Sequence, residues 1–124
     1  MNNIEKLLNS LMEQAELFLK ENGEFAPFGT YIRANGDLTY IGAYSETTDS
    51  NEMYDLLIQG VREDLKDEDI RATAIAWNGT VDGKDVIVTE VFLSLDGNYQ
   101  SIHPYIIENG SVIFGDEIKP HINR

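Results

Sequence analysis

The N-terminal segment carries apolar side chains at three- and four-residue steps, which is the spacing of one face of an α-helix. Asn2 or Asn3 can cap the start of this helix, and Asn22-Gly23 suits its end, where a left-handed residue is favoured. The polar face holds more acid than base and would be repelled by anionic lipid, so we expect the helix to pack on its own sheet. The apolar positions are Ile4, Leu7, Leu8, Leu11, Met12, Ala15, Phe18 and Leu19.

Two β-rich runs follow, joined by an Asn-Gly dipeptide at positions 35–36, and this pattern predicts a hairpin. Its register has two alternatives. A two-residue turn pairs Tyr31 with Tyr40, whereas a type I turn with the glycine as bulge residue pairs Ile32 with Leu38. The register decides which tyrosines face solvent.

A second amphipathic helix is predicted after Asp49, whose side chain can accept the amide of Glu52 in a capping box. Three consecutive carboxylates at positions 67–69 would oppose the macrodipole at a helix C-terminus. We therefore expect the helix to end near Lys66. Its apolar positions are Met53, Leu57, Ile58, Val61 and Leu65.

The remaining chain has the pattern of β-strands. Alanine alternates with larger residues from Ile70 to Trp77, and this small face predicts the close approach of a helix. The run from Val86 to Leu95 is apolar on both faces, as in a central strand, except at a few polar positions. Asp96-Gly97 and Asn109-Gly110 are turns that lead into two further strands. The polar positions of the central strand are Thr89, Glu90 and Ser94.

This order of elements predicts a single α+β domain over residues 1–124, in the order α-β-β-α-β-β-β-β. Short turns make consecutive strands antiparallel, so we expect one antiparallel sheet of five to six strands. The two helices are expected to pack on one face of the sheet. The other face would then be open to solvent, to a partner or to a second copy of the chain.

Composition narrows the classes of function. The 124 residues include 22 Asp plus Glu and 9 Lys plus Arg, which gives a formal net charge of −13, and there is no cysteine. The missing cysteines exclude disulfides, thiolate metal sites and cysteine nucleophiles. No apolar run has the roughly 20 residues of a membrane span, and the N-terminus lacks a basic signal-peptide start. We expect a cytoplasmic protein that does not bind membranes.

Patterns that carry catalysis or metal binding are weak. His103 lies in a strand and His121 in the tail, without the spacing of metal ligands. The segment after Asp96 begins like a calcium loop but lacks its glycine and its final glutamate. Phosphate loops and nucleophile elbows are missing from the sequence. We predict no catalytic residue, no metal and no cofactor, and a small enzyme using carboxylates and His103 is the last-ranked hypothesis.

The acidity bears on the choice of partner. Nucleic acid is disfavoured, because phosphate binding depends on Lys and Arg. Residues 46–69 hold nine acidic and two basic side chains, a local net charge of −7. Such a field can speed the encounter with a basic protein. The alternative is that the acidity only keeps the protein soluble.

Tyrosine and arginine, which protein interfaces favour, occur together on the predicted hairpin. They form a candidate contact surface or dimer face, and the alternative is that the tyrosines fill the rim of the core. With the acids around the end of the second helix, they make up the predicted partner-binding set. The set is Tyr31, Arg33, Tyr40, Tyr44, Asp64, Asp67, Glu68 and Asp69.

Three segments carry a resemblance to known proteins: the Phe-Ala-Pro-Phe-Gly run within Glu24–Thr30, the Gly turn, and the Tyr40–Tyr44 run. In these segments the chain resembles a family of small, uncharacterised bacterial α+β proteins. The segments Asp96–Tyr99 and Pro104–Gly115 look like the closing hairpins of the same family. The resemblance implies a fold and supplies no catalytic residue. In element order the chain is also similar to small bacterial immunity proteins and to profilin-like adaptors.

The leading hypothesis is a non-enzymatic, acidic protein-binding module. Its sharpest form is an immunity-type inhibitor that covers the basic, phosphate-binding cleft of a toxin nuclease. The alternative is a homodimeric adaptor that uses the open face of the sheet.

Overall fold

The computed structural model describes residues 2–42, 50–93 and 97–118. Six strands form one antiparallel sheet in the order β2-β1-β3-β4-β5-β6. The α+β class, the antiparallel sheet and the predicted order of elements are confirmed. The elements are α1 (Asn3–Asn22), β1 (Phe28–Arg33), β2 (Leu38–Gly42), α2 (Ser50–Asp64), β3 (Ile70–Val81), β4 (Lys84–Phe92), β5 (Asn98–Glu108) and β6 (Ser111–Phe114).

Both predicted caps of α1 are present. The Asn2 side chain accepts a hydrogen bond from the Glu5 amide at 2.8 Å, which satisfies one of the free amides of the first turn. Gly23 adopts a φ of 76° and its amide donates to the Leu19 carbonyl. Helix α2 ends at Asp64, two residues before the predicted end. Its proposed cap at Asp49 lies outside the described residues.

The β1–β2 hairpin adopts the second of the two predicted registers, with Ile32 opposite Leu38. Gly36 takes a φ of 90° and its amide donates to the Arg33 carbonyl, which closes the turn before the bulge. Tyr31 is consequently opposite Thr39, and Tyr40 projects from the other face of the hairpin.

The two helices pack on opposite faces of the sheet, so the expectation of a shared face is wrong. Alternation along β3 divides its side chains between two clusters. The first cluster joins the three alanines of β3 to the apolar stripe of α1. The second joins Ile75 and Trp77 of β3 to Leu57 and Val61 of α2. The alanines are Ala72, Ala74 and Ala76.

The physical reason for this arrangement is that β3 is apolar on both faces. The alanines let α1 approach closely, as predicted. Ile75, however, is completely buried on the other side, and its burial requires a second covering layer. β4 has the same two-sided burial and lies between β3 and β5, which confirms the prediction of a central strand.

Neither face of the sheet is left open as a whole. The exposed apolar surface is instead concentrated on the β5–β6 hairpin at one edge. Ile106 and Ile113, which are cross-strand partners, are 57% and 48% exposed. Ile107 and Phe114 are exposed on the opposite side of the same hairpin.

Alanine substitutions at two glycines test how closely the strands and α2 are packed. A Cβ at Gly29 would lie 3.0 Å from the Ala74 carbonyl oxygen of the adjacent strand and 3.6 Å from the Ile41 Cβ, whereas a Cβ at Gly60 of α2 meets nothing within 4 Å. We expect Gly29→Ala to lower the free energy of unfolding by about 1–3 kcal/mol through overpacking. Gly60→Ala should raise it by about 0.5–1 kcal/mol, because alanine loses less backbone entropy in a helix.

Urea denaturation of both variants measures the two effects. A Gly29→Ala protein as stable as the parent would contradict the close packing of β1 between β2 and β3.

Candidate functional site

One candidate surface lies where α2 ends and the connection to β3 begins. We call it the carboxylate cluster and define it by Asp64, Asp67, Glu68 and Asp69. The connection contains a turn, in which the Asp69 amide donates a hydrogen bond to the Asp67 carboxylate at 2.9 Å. The Ala34 amide donates to the Asp69 carbonyl and ties this connection to the β1–β2 hairpin.

Arg33 organises the carboxylate cluster from the end of β1. Its Nη1 lies 2.9 Å from an oxygen of Asp69 and 3.7 Å from an oxygen of Asp67. Its Nη2 donates to the Tyr31 hydroxyl at 3.2 Å, and the guanidinium carbon lies 5.3 Å from the centre of the Tyr31 ring. The hydrogen bond with Asp69 raises the pKa of Arg33 above its ordinary value. This guanidinium therefore holds the acids in place and is already engaged within the chain.

Asp64 differs from its neighbours in being partly buried. Loss of solvent raises the pKa of its carboxyl, the nearby Arg33 lowers it, and the charges of Asp67 and Glu63 raise it again. The net pKa is above the ordinary 3.8. The ionised form of Asp64 is therefore less favourable in the folded chain than in water.

The structure brings together five of the eight predicted partner-binding residues. Glu68 is exposed on the same connection. Tyr40 is on the opposite face of the sheet, where it stacks on Phe28 with ring centres 5.8 Å apart, so its grouping with Tyr31 is wrong. Tyr44 lies outside the described residues. The five that meet are Tyr31, Arg33, Asp64, Asp67 and Asp69.

A second candidate site is a cleft of about 370 Å³ between α2 and strands β4 and β5. At its wall is Glu90, which is only 5% exposed. One oxygen of Glu90 accepts a hydrogen bond from the Tyr54 hydroxyl at 2.6 Å, and the other accepts one from the Asn98 amide at 2.7 Å. We call it the Glu90 cleft. Its lining residues are Tyr54, Asp55, Ile58, Val61, Arg62, Leu65, Glu90, Phe92 and Asn98.

Tyr54 connects the Glu90 cleft to the core beneath α2. Its ring packs edge-on against Trp77 with centres 5.1 Å apart. Burial raises the pKa of the Tyr54 hydroxyl above its ordinary 10.0, and the hydrogen bond to Glu90 raises it further. The hydroxyl is thus held protonated, as a donor to the carboxylate.

One sign of this cleft was visible in the sequence: Glu90 is the single acid in the largely apolar run from Val86 to Leu95. Its partners could not be found in the same way, because Tyr54 is 36 residues away on α2 and Asn98 is eight residues away on β5. The placement of Glu90 also bears on the enzyme hypothesis. His103 is opposite Ile87 on the α1 face, whereas Glu90 points to the α2 face, so these two side chains do not converge.

Within the described ranges, no group of three or more acidic or histidine side chains is placed to hold a metal ion. No helix in that part of the chain combines the length and apolarity that a membrane span needs.

Comparison with protein-family models, with curated proteins and with solved structures finds no match to this chain. The resemblance to a family of small bacterial α+β proteins stays a prediction.

The Tyr54–Glu90 hydrogen bond can be tested by Tyr54→Phe. We expect a loss of about 1–3 kcal/mol of unfolding free energy, because a buried carboxylate loses a donor. Tyr99→Phe, at a half-exposed tyrosine on β5, should change it by less than about 0.5 kcal/mol. Urea denaturation at neutral pH measures both.

The hydrogen bond between Tyr54 and Glu90 should also make the free energy of unfolding depend on pH. The raised pKa of Tyr54 means that its protonated form stabilises the fold fully below pH 10 and that this contribution is lost as the pH rises through the raised pKa. The parent should therefore lose stability more steeply above pH 10 than Tyr54→Phe does. Parallel curves for the two proteins would contradict the assignment.

Proposed function

We propose that the protein is an acidic protein-binding module and that the carboxylate cluster is its contact surface for a basic protein. The observation that carries the proposal is the set of ion pairs from Arg33 to Asp67 and Asp69. The two carboxylates are about half exposed, yet one guanidinium fixes their positions before any partner arrives.

The charge of this region supports a cationic partner. Between Glu63 and Asp69 five carboxylates accompany one lysine, and Arg33 adds a second cation. Exposed charges of one sign attract an oppositely charged protein and speed the encounter, with a strong dependence on salt. Because the acids are held by the chain itself, little side-chain entropy is lost when they bind.

The partial burial of Asp64 is a second support. Its raised pKa means that the charge of Asp64 at neutral pH opposes folding. A cationic partner would reduce this effect by adding a second favourable charge to that of Arg33. Perturbed carboxylates of this kind occur more often at binding and catalytic sites than elsewhere on a surface.

In its sharpest form, the proposal is an immunity-type inhibitor. The cluster would cover the basic, phosphate-binding cleft of a toxin nuclease, where carboxylates take the place of phosphates. Such an inhibitor needs complementary charge and shape and no catalytic group of its own.

A second candidate function is self-association through the β5–β6 hairpin. Its support is the cross-strand pair Ile106 and Ile113, exposed beside a terminal strand. β6 is last in the sheet order, and its outer edge meets no other strand among the described residues. Edge pairing of two copies would cover both the free backbone groups and the isoleucines.

Two triple variants of equal net charge test the role of the carboxylate cluster. The combined Asp67→Asn, Glu68→Gln and Asp69→Asn change should abolish capture of a basic protein from the native host. The control variant Glu13→Gln, Glu21→Gln and Glu24→Gln neutralises three exposed acids on and after α1 and should retain capture. Mass spectrometry of the captured proteins identifies the partner.

Binding kinetics of the purified protein and its captured partner then test whether electrostatic attraction drives the association. We expect the association rate of the parent to exceed that of the cluster variant by about 10-fold or more at low salt, and the difference to shrink as salt rises. An association rate that is insensitive to salt, or equally slow in the control variant, would contradict the proposal.

Self-association is tested by Ile113→Lys. If the hairpin is a dimer interface, light scattering of the parent gives twice the 14.0 kDa of the chain, and this variant is monomeric. The control is Leu17→Lys on α1, because Leu17 has the same 48% exposure and the substitution adds the same charge. A monomeric parent at high concentration removes this candidate.

A further inference from the structure

The Glu90 cleft contains a carboxylate whose hydrogen-bonding capacity is only partly used. Within the described ranges, the two side chains that donate to Glu90 are both neutral, the Tyr54 hydroxyl and the Asn98 amide. A carboxylate has about four acceptor positions, so further donors can be accommodated. A buried charge is costly unless an opposite charge compensates it. The cleft therefore favours a cation that approaches from solvent.

The walls of the cleft select the kind of cation. Ile58, Val61, Leu65 and Phe92 line it and present apolar surface beside the carboxylate. A divalent metal ion prefers several oxygen ligands, and the cleft supplies one buried carboxylate. An ammonium group on an aliphatic chain fits both parts, with the charge on Glu90 and the chain against the apolar wall.

The volume of the Glu90 cleft and the charges at its rim also favour an alkylammonium ligand. A volume of about 370 Å³ is within the range of about 300–1,000 Å³ found for small-ligand sites. The rim carries Asp55 and Arg62, whose charges oppose each other. Glu90 then leaves the cleft with a net negative charge, which attracts an ammonium and repels a carboxylate.

We propose that the Glu90 cleft binds a primary alkylammonium group, with Glu90 as its charged acceptor. The ammonium donates to the carboxylate oxygens, and the methylene chain packs on Ile58 and Phe92. A free aliphatic amine and the side chain of a lysine present this same group. The proposal concerns a site separate from the carboxylate cluster and stands whether or not that cluster binds a protein.

The test is an NMR titration of the isotope-labelled chain with n-butylammonium chloride at physiological salt. We expect saturable shifts confined to the residues that line the cleft. Two probes define the chemistry: n-butanol has a similar chain without the charge, and sodium chloride supplies the ionic strength alone. Neither should reproduce the shifts.

Three variants assign the site. Glu90→Gln should weaken n-butylammonium binding by about 10-fold or more, because the charge-assisted hydrogen bond is lost. Glu13→Gln removes the same charge from α1 on the other side of the sheet and should leave binding unchanged. Tyr54→Phe frees an acceptor position on Glu90, so it should bind n-butylammonium more tightly than the parent does. Weaker binding by this variant would contradict the role of Glu90, which keeps the proposal testable if Glu90→Gln does not fold.

A capped lysine, N-acetyl-lysine methylamide, separates the two sources of the group. Binding comparable to n-butylammonium supports a site for lysine side chains, and binding of n-butylammonium alone supports a site for free amines. The proposal is overturned if n-butanol gives the same shifts as n-butylammonium, or if Glu90→Gln responds as the parent does.

Discussion

The two-sided burial of β3 is the constraint on which the rest of the structure depends. Three alanines on one face admit α1 at short range, and Ile75 with Trp77 on the other face requires α2 as a cover. A strand with only one apolar face would have allowed both helices to share it. Because α2 is needed on the second face, its C-terminal end lies beside the β1–β2 hairpin. Arg33 meets the acids that follow α2 for this reason.

The placement of α2 creates both candidate sites. The carboxylate cluster lies beyond its C-terminus, and the Glu90 cleft lies along its side. Beyond its C-terminus, the chain must turn sharply into β3. Arg33 forms ion pairs with Asp67 and Asp69, two acids that would otherwise repel each other after a helix end. Along its side, the gap between α2 and β5 leaves Glu90 within a cleft instead of a packed core. The two sites thus share a face of the sheet and differ in kind, since one is a solvated surface and the other is partly enclosed.

The sequence predicted the features that depend on interactions between residues close together in the chain. Caps, turns and periodicity act within a few residues, so α1, its Gly23 cap and the order of the strands could be predicted. The face on which each helix packs depends on contacts between distant residues. The alternation of β3 predicts that a helix approaches its alanines, but it does not identify the element that covers Ile75 and Trp77. The hairpin turn allowed two registers, and the one adopted separates Tyr40 from Tyr31. The Arg33 ion pairs join residues up to 36 positions apart, which no local pattern reveals.

The chemistry of Glu90 argues for a role beyond holding α2 to the sheet. A purely structural contact at this position could be made by two apolar side chains, and replacement of buried polar pairs by well-packed apolar ones is often neutral or stabilising. Ile58 and Phe92 beside it show that the surroundings are already apolar. A carboxylate that is 5% exposed, hydrogen-bonded by neutral donors and facing a cleft instead retains acceptor positions that its two described donors leave unused. The proposed alkylammonium ligand would use those positions, and its binding would stabilise the folded chain.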